Sequence, residues 1–303
     1  MNTQDTIGFV GLGVMGGPMC QNMARKHHGK VLAFDLSEDA LVAVEQDSAE
    51  RVASLVDLAQ ASDIIFLSLP GDPQVDAVTT ELLNADGKCK IVVDLSTTSV
   101  AAARAAAAKL GAAGIRFADA PVARTREAAQ KGALSIMVGA DQDLFDRIKP
   151  HLEYIATDIT HGGKVGTGQV LKLVNNMLVF ANTVAMAEMM VLGEAGGVDP
   201  EVLLDAVSKG SGDSFVLRNH ARKAMLPRAF PDRAFSPEYV LKDIGGVFAL
   251  AQSTGVDLPA AETVQSYYEA AVKHGYSGRY FPCVVELVEK GLMRDGTPKK
   301  EES

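Results

Sequence analysis

The sequence predicts an α/β domain with a parallel sheet covered by helices on both faces, followed by an all-α domain built on one long interdomain helix. Two observations carry this. In the first half, short apolar or β-branched runs alternate with helical stretches, the pattern of a parallel sheet whose crossovers are helices. After Gly162-Gly163-Lys164-Val165-Gly166 the alternation stops, and from Gln169 the chain meets neither Pro nor Gly until Gly193. A helix of roughly 25 residues, about 37 Å long, is expected there. The domains are expected to span 1–164 and 165–303, in keeping with a prior of roughly 150 residues per domain.

Strands are expected at Thr6 to Val10, Lys30 to Phe34, Asp63 to Leu69, Lys90 to Leu95, Ile115 to Ala118 and Leu134 to Val138, each an apolar run bounded by turn residues or charge. Helices are expected between them at Met15 to Lys26, Ser37 to Gln46, Pro73 to Leu83, Ser99 to Leu110 and Gln142 to Leu152, with Ser37 and Ser99 placed as N-caps. Beyond the long helix, Pro200 to Lys209, Ser214 to Ala224, Pro237 to Ser253, Pro259 to His274 and Pro282 to Lys290 read as further helices. The charged tail Pro298 to Ser303 reads as frayed.

Composition removes several classes of function. Of 303 residues, 47% are hydrophobic and 22% charged, which excludes a disordered chain. A net charge of −9 is a poor field for nucleic acid or an anionic membrane. Cys20, Cys89 and Cys283 are odd in number and widely spaced, so they read as buried thiols, with neither a disulfide framework nor a metal site. Met1 to Asp5 carries no basic start and apolar run, and no apolar run is expected to reach the ~18 residues of a membrane span. A cytoplasmic protein is expected.

Gly11-Leu12-Gly13-Val14-Met15-Gly16 follows the first strand and opens the first helix. In that context a GxGxxG is the dinucleotide fingerprint of a Rossmann domain. Its first glycine makes the tight turn, its second admits the pyrophosphate to the backbone, and its third lets helix pack on strand. Asp35 ends the second strand 19 residues after Gly16, where an acid accepts the ribose hydroxyls. Glu38 and Asp39 follow closely, and neither Leu36 nor Ser37 supplies a cation for a 2′-phosphate, so the expected cofactor is NAD. Leu69-Pro70 and Ser96-Thr97 lie at the C-terminal ends of later strands, where such sheets place ligands.

A nicotinamide supplies hydride chemistry, so the protein must supply a proton donor and anchors for the substrate. The six histidines are scattered. Lys172, near the start of the long helix among apolar neighbours, is the better candidate, because desolvation lowers a lysine toward working pH. Asn176 shares its face at i+4, with Asn175 beside it. A lysine that merely reaches out to solvent is the alternative on spacing alone.

Taken together, Gly11 to Gly16 with Gly17-Pro18-Met19, Asp119-Ala120-Pro121-Val122, Lys172 with Asn175-Asn176, and Lys242-Asp243 resemble the β-hydroxyacid dehydrogenase family, which includes 3-hydroxyisobutyrate dehydrogenases and tartronate semialdehyde reductases. The resemblance implies Lys172 as general acid/base, Asn176 as a substrate anchor, Lys242 close to the cofactor, and Phe235 as a family aromatic by the site. Separately, an all-α domain built on one long helix leaves a large apolar face, with Met177, Leu178, Met186, Met189 and Met190 among its candidates, so a homodimer or homotetramer is expected.

One departure bears on the substrate. Many family members follow Asp-x-Pro-Val with Ser-Gly-Gly, which holds a carboxylate; here Ala123-Arg124-Thr125 stand. The triplet is similar to the Gly-Arg-Thr of sulfolactaldehyde reductases, whose arginine faces a sulfonate, although Val179 stands where such a reductase carries serine. The expected activity is therefore reversible hydride transfer between NAD and the terminal hydroxyl or aldehyde of a short anionic substrate. A sulfonate such as 3-sulfolactaldehyde comes first. A 3-hydroxy carboxylate of the 3-hydroxyisobutyrate, tartronate semialdehyde or 4-hydroxybutyrate type is the alternative, with Arg124 then a loop residue paired with Glu127. Imine reduction, which usually replaces the lysine, and a non-catalytic dinucleotide-binding module are less favoured.

Overall fold

A computed structural model describes residues 4–232 and 234–293; the expected frayed tail and the first three residues lie outside them. The chain divides into two compact units, Met1–Lys172 and Leu173–Ser303. The division falls eight residues later than the expected 164/165. The physical reason is that the first turn of the long helix is hydrogen-bonded to Asp119 of the sheet.

The first unit is a single sheet. Five parallel ladders join β3 (Glu50–Arg51), β2 (Val31–Phe34), β1 (Ile7–Val10), β4 (Ile64–Leu67), β5 (Ile91–Asp94) and β6 (Arg116–Asp119) in the order β3-β2-β1-β4-β5-β6. This is the doubly wound arrangement, whose ligand crevice lies outside the C-terminal strand ends. The central strands are buried on both faces. Ile7, Phe9, Ile64 and Phe66 pack with Met19 and Met23 on one side, and Val10, Ile65, Leu67 and Val92 with Leu58 and Leu110 on the other. That is why these strands read as continuous apolar runs and not as alternation.

The sheet is not wholly parallel as expected. β8 (Leu134–Gly139) runs antiparallel to β6 and to β7 (Val122–Ala123), while β9 (Ala156–Gly163) pairs with β8 in parallel. After β6 the chain forms the short strand β7, with which β8 pairs as an antiparallel neighbour, so β8 runs against β6 as well.

The helices of this unit are α1 (Gly16–Lys26), α2 (Glu38–Glu45), α3 (Leu55–Ala61), α4 (Asp72–Asn84), α5 (Val100–Gly111), α6 (Arg126–Lys131) and α7 (Gln142–Leu152). Ser37 and Ser99 cap α2 and α5 as expected, accepting from the amides of Ala40 at 3.4 Å and Ala102 at 3.1 Å. α3, α6, the short strands β3 and β7 and the strand β9 are additional to the sequence reading.

α8 (Thr167–Ala195) begins in the first unit and continues into the second. By length and composition alone it is apolar enough to cross a membrane, a test that the core helix of a soluble protein also passes. Within the second unit, Phe180, Val184, Ala187 and Met190 of α8 join a core with Leu204, Leu217, Val240, Ile244, Tyr268 and Val284. This core is assembled from α9 (Pro200–Val207), a π-helical segment Leu217–Met225 in place of the expected α-helix, α10 (Pro237–Thr254), α11 (Pro259–Lys273), a 3-10 turn Phe281–Cys283 and α12 (Val284–Glu289). Met186 and Met190 are core residues, so of the expected contact candidates only Leu178 and Met189 are exposed. Cys20, Cys89 and Cys283 are buried free thiols.

Candidate active site

The turn between β1 and α1 is built from close approaches. Gly11 has φ +91°, and a Cβ there would meet the carbonyl oxygen of Ser68 at 2.2 Å; one on Gly16 would meet the carbonyl oxygen of Gly11 at 1.9 Å. Only hydrogen fits at either position. A Cβ on Gly13 would meet nothing within 4 Å, so Gly13 faces open space, as a backbone that receives a diphosphate must. Leu12 is buried beneath the turn, whereas Val14 is exposed and Met15 half-buried as the residue before α1. The residues present fit a dinucleotide.

Asp35 follows β2 and is fixed by two backbone amides. Its Oδ2 accepts from Leu12 N at 2.6 Å and its Oδ1 from Ser37 N at 2.8 Å. Leu36 beside it is 96% exposed. The sequence reading missed Arg51, which β3 places opposite Ala33. Its guanidinium forks onto Glu38, Nη1 to Oε1 at 2.5 Å and Nη2 to Oε2 at 3.0 Å. Cross-strand pairing brings this cation near the end of β2, a proximity with no short-range signal in the sequence.

The loops after β4 and β5 are tied together, because Leu69 N donates to Ser96 Oγ at 2.8 Å. Ser96 N in turn donates to Asp94 Oδ1 at 3.0 Å. Asp94 is fully buried in register with Asp119 on the neighbouring strand, and burial pushes its carboxyl up to about 7. Burial raises Asp119 as well, against the lowering effect of the amides it accepts. Asp119 Oδ1 accepts from Gly166 N at 2.6 Å and Oδ2 from Gln169 N at 2.8 Å, so this strand-end carboxylate holds the first turn of α8. Pro70 and Thr97 flank these contacts in the same two loops. Lys172 lies one turn beyond Gln169 and is buried.

The triplet 123–125 is distributed over three structural tasks. Ala123 is buried in β7. Arg124 has φ +87°, a left-handed conformation that suits the glycine of the family pattern. Its Nη1 donates to the carbonyl of Ala133 at 2.7 Å and to Thr157 Oγ1 at 2.8 Å, and its Nη2 to Asp158 Oδ2 at 2.7 Å. Thr125 caps α6, accepting from Ala128 N at 3.4 Å. Glu127, the acid expected for Arg124 on the loop reading, pairs with Lys131 at 2.7 Å.

In the second unit, Asn175 Nδ2 donates to Asn176 Oδ1 at 3.1 Å, and Asn176 Nδ2 donates to Asp243 Oδ2 at 2.7 Å. Lys242 Nζ stands 3.4 Å from Asp243 Oδ1. Asp243 is thus the buried acid that joins the two asparagines to the lysine, a role its place in the Lys242-Asp243 pair did not reveal. Phe235 stacks on Phe180 with ring centroids 6.1 Å apart and meets Phe281 edge-on at 5.9 Å.

A glycine cradle at the switch of a doubly wound sheet, followed by a helical unit entered through a lysine-bearing helix, defines a nicotinamide-dinucleotide-dependent oxidoreductase. Residues 6–163 match the family described as the NAD binding domain of 6-phosphogluconate dehydrogenase, and residues 166–288 the family described as NAD-binding of NADP-dependent 3-hydroxyisobutyrate dehydrogenase. The chain is 33% identical over 287 residues to 2-(hydroxymethyl)glutarate dehydrogenase of Eubacterium barkeri, covering 94% of this chain and 95% of that protein. It is 32% identical over 287 residues to 2-hydroxy-3-oxopropionate reductase of Escherichia coli K12, covering 93% and 97%. The solved 3-hydroxyisobutyrate dehydrogenase of Mycobacterium tuberculosis with L-serine superposes with a TM-score of 0.85 at 26% identity, covering 94% of this chain and 99% of that one. The chain belongs to the β-hydroxyacid dehydrogenase family. It is an oxidoreductase of CH–OH donors, and the reading of a non-catalytic module falls away.

Proposed function

We propose that this enzyme is an NAD-linked dehydrogenase of a short 3-hydroxy acid, reversibly interconverting the terminal alcohol and its aldehyde. The observation that carries the reading is the attachment of the lysine helix to the sheet: Asp119 holds the start of α8, and Lys172 follows one turn on. The dinucleotide, when bound, takes up or gives back the hydride of the carbinol carbon. Lys172 holds the proton at the substrate oxygen, accepting it from the alcohol in oxidation and returning it to the forming alkoxide in reduction. Asn175 and Asn176, joined to Asp243, and Phe235 are the substrate-binding residues of this reading, and Lys242 is a cofactor-binding one, as the family resemblance implies. Gly11, Leu12, Gly13, Val14, Met15, Gly16, Leu69, Pro70, Ser96 and Thr97 form the cofactor's bed. Asp35 favours NAD over NADP, because its carboxylate is fixed by two amides and the nearby Arg51 is matched by Glu38.

The acid head group we favour is a carboxylate, received by the 123–125 loop, in place of the sulfonate that the sequence put first. Arg124 and Thr125 already have partners in Asp158, Thr157, Ala133 and the amide of Ala128, which favours a bracing role over a free grip on an anion. The second reading, a sulfonate such as 3-sulfolactaldehyde, is favoured by the replacement of two glycines by arginine and threonine at the head-group loop. The test is NADH oxidation measured over succinic, methylmalonate and tartronate semialdehydes and sulfolactaldehyde in competition. A carboxylate aldehyde should give the highest kcat/KM.

We also infer a homo-oligomer. Val174, Leu178, Met189 and Leu192 are exposed at helical spacing along α8, a face suited to a second copy of the same chain. A monomer at micromolar concentration in sedimentation would contradict this.

A further inference from the structure

Gln169 is fully buried, and every polar atom of its side chain faces a backbone group of the loop after β5. Its Nε2 donates to the carbonyl of Ser96 at 2.8 Å, and its Oε1 accepts from Thr98 N at 3.1 Å. The orientation of the amide is set by these partners, since the reverse would place donor against donor and acceptor against acceptor. The loop it grips is itself braced from the sheet, by Asp94 on Ser96 N and by Ser96 Oγ on Leu69 N. The turn that carries Gln169 has no slack either. A Cβ on Gly168 would meet the carbonyl oxygen of Met137 at 2.4 Å, and Asp119 accepts the amides on both sides of that glycine, Gly166 and Gln169.

We propose that Gln169 is a positioning residue for the reaction. Its carboxamide locks the first turn of α8 to the Ser96–Thr98 loop, so that Lys172 and the loop that edges the nicotinamide keep one fixed spacing. The proposal rests on the assignment of Lys172 as proton carrier. Side-chain amide bonding to both a carbonyl and an N–H two residues apart fixes translation and rotation together, which one hydrogen bond cannot do. Misplacement of a reacting group by about 1 Å costs on the order of a hundredfold in rate. A purely structural glutamine would instead be replaceable by an apolar side chain of equal length at no cost to turnover in the folded protein.

The test uses Gln169→Met, Gln169→Glu and Lys172→Ala in the full chain. In the cofactor-free protein, hydrogen–deuterium exchange should rise together at residues 96–98 and 166–172 in Gln169→Met, and elsewhere stay at the parent level. With the most rapidly reduced of the four aldehydes above, kcat should fall about 10- to 100-fold. The KM for NADH should stay within about threefold, and the isotope effect from C4-deuterated NADH should increase as chemistry becomes slower. Gln169→Glu should be impaired when ionised and recover as the pH falls, because a protonated carboxyl again offers one donor and one acceptor. This pH series carries the test if Gln169→Met does not fold. Parental exchange and kcat in Gln169→Met, or a loss in Gln169→Glu that acidification does not reverse, overturns the proposal. Parental turnover in Lys172→Ala overturns instead the assignment on which it rests.

Discussion

Asp35 accepts the backbone N–H of Leu12 at 2.6 Å, a bond that spans 23 residues and pins the end of β2 to the glycine turn after β1. The same carboxylate accepts from Ser37 N, so its negative charge is held at one place beside an exposed Leu36. A ribose with two free hydroxyls suits this fixed acceptor, whereas a 2′-phosphate meets like charge. The enzyme should therefore prefer NAD to NADP by well over tenfold in kcat/KM, since repulsion and a lost bidentate bond together cost a few kcal/mol. Asp35→Ser with Leu36→Arg should reverse the preference, and Glu38→Gln, by releasing Arg51, should narrow it. Equal kcat/KM for the two cofactors in the parent enzyme would contradict the assignment.

Arg124 supports a different expectation from the one its sequence position first gives. Its guanidinium joins β9 through Thr157 and Asp158 while its backbone holds φ +87°. Arg124→Gly should relieve a left-handed strain of about 1 kcal/mol and leave the KM for carboxylate aldehydes within about threefold. Asp158→Asn should release the guanidinium and shift the preference toward the sulfonate aldehyde. A ten- to hundredfold rise in KM for the best substrate of Arg124→Gly would show instead that the arginine grips the head group, a loss of about 1.4–2.8 kcal/mol.

His220 sets a pH dependence of stability unrelated to catalysis. It is buried among Phe215, Phe281 and Tyr280, its Nδ1 lies 2.7 Å from Tyr280 Oη, and burial, reinforced by Lys223, pushes it down to about 4. Below its ordinary value of 6.5 the unfolded chain takes up a proton that the folded chain refuses, so stability is present above pH 6.5 and is lost as the pH falls toward 4. The loss amounts to about 3 kcal/mol at the acid end. Urea unfolding of His220→Gln at pH 7 and pH 4.5 should show a smaller acid loss than the parent; an identical loss would remove His220 as its source.

Much of this molecule was legible in the chain because its signals are local. The central strands are apolar over their whole length, Ser37 and Ser99 announce caps, and Gly11 and Gly16 declare a turn whose close approaches only glycine allows. What escaped depends on distant partners. β9 is an exposed and polar strand recognisable only through its pairing with β8, and Arg124 finds Asp158 across 34 residues. Gln169 reads as an ordinary helix residue until Ser96 and Thr98 are seen around it. Asp119 stood in a recognisable motif, but its task of holding α8 is visible only when Gly166 and Gln169 are brought to it.

The central claim, that Lys172 carries the proton, is tested most directly by single-turnover reduction of the best aldehyde with NADH in Lys172→Ala and Lys172→Arg, with cofactor affinity measured in parallel by titration. Hydride transfer should slow by about 10²–10⁴ in Lys172→Ala, and nearly as much in Lys172→Arg, whose guanidinium stays protonated and cannot cycle. The NADH affinity should stay close to the parent's. A near-parental hydride-transfer rate in Lys172→Ala with intact NADH binding would contradict the account.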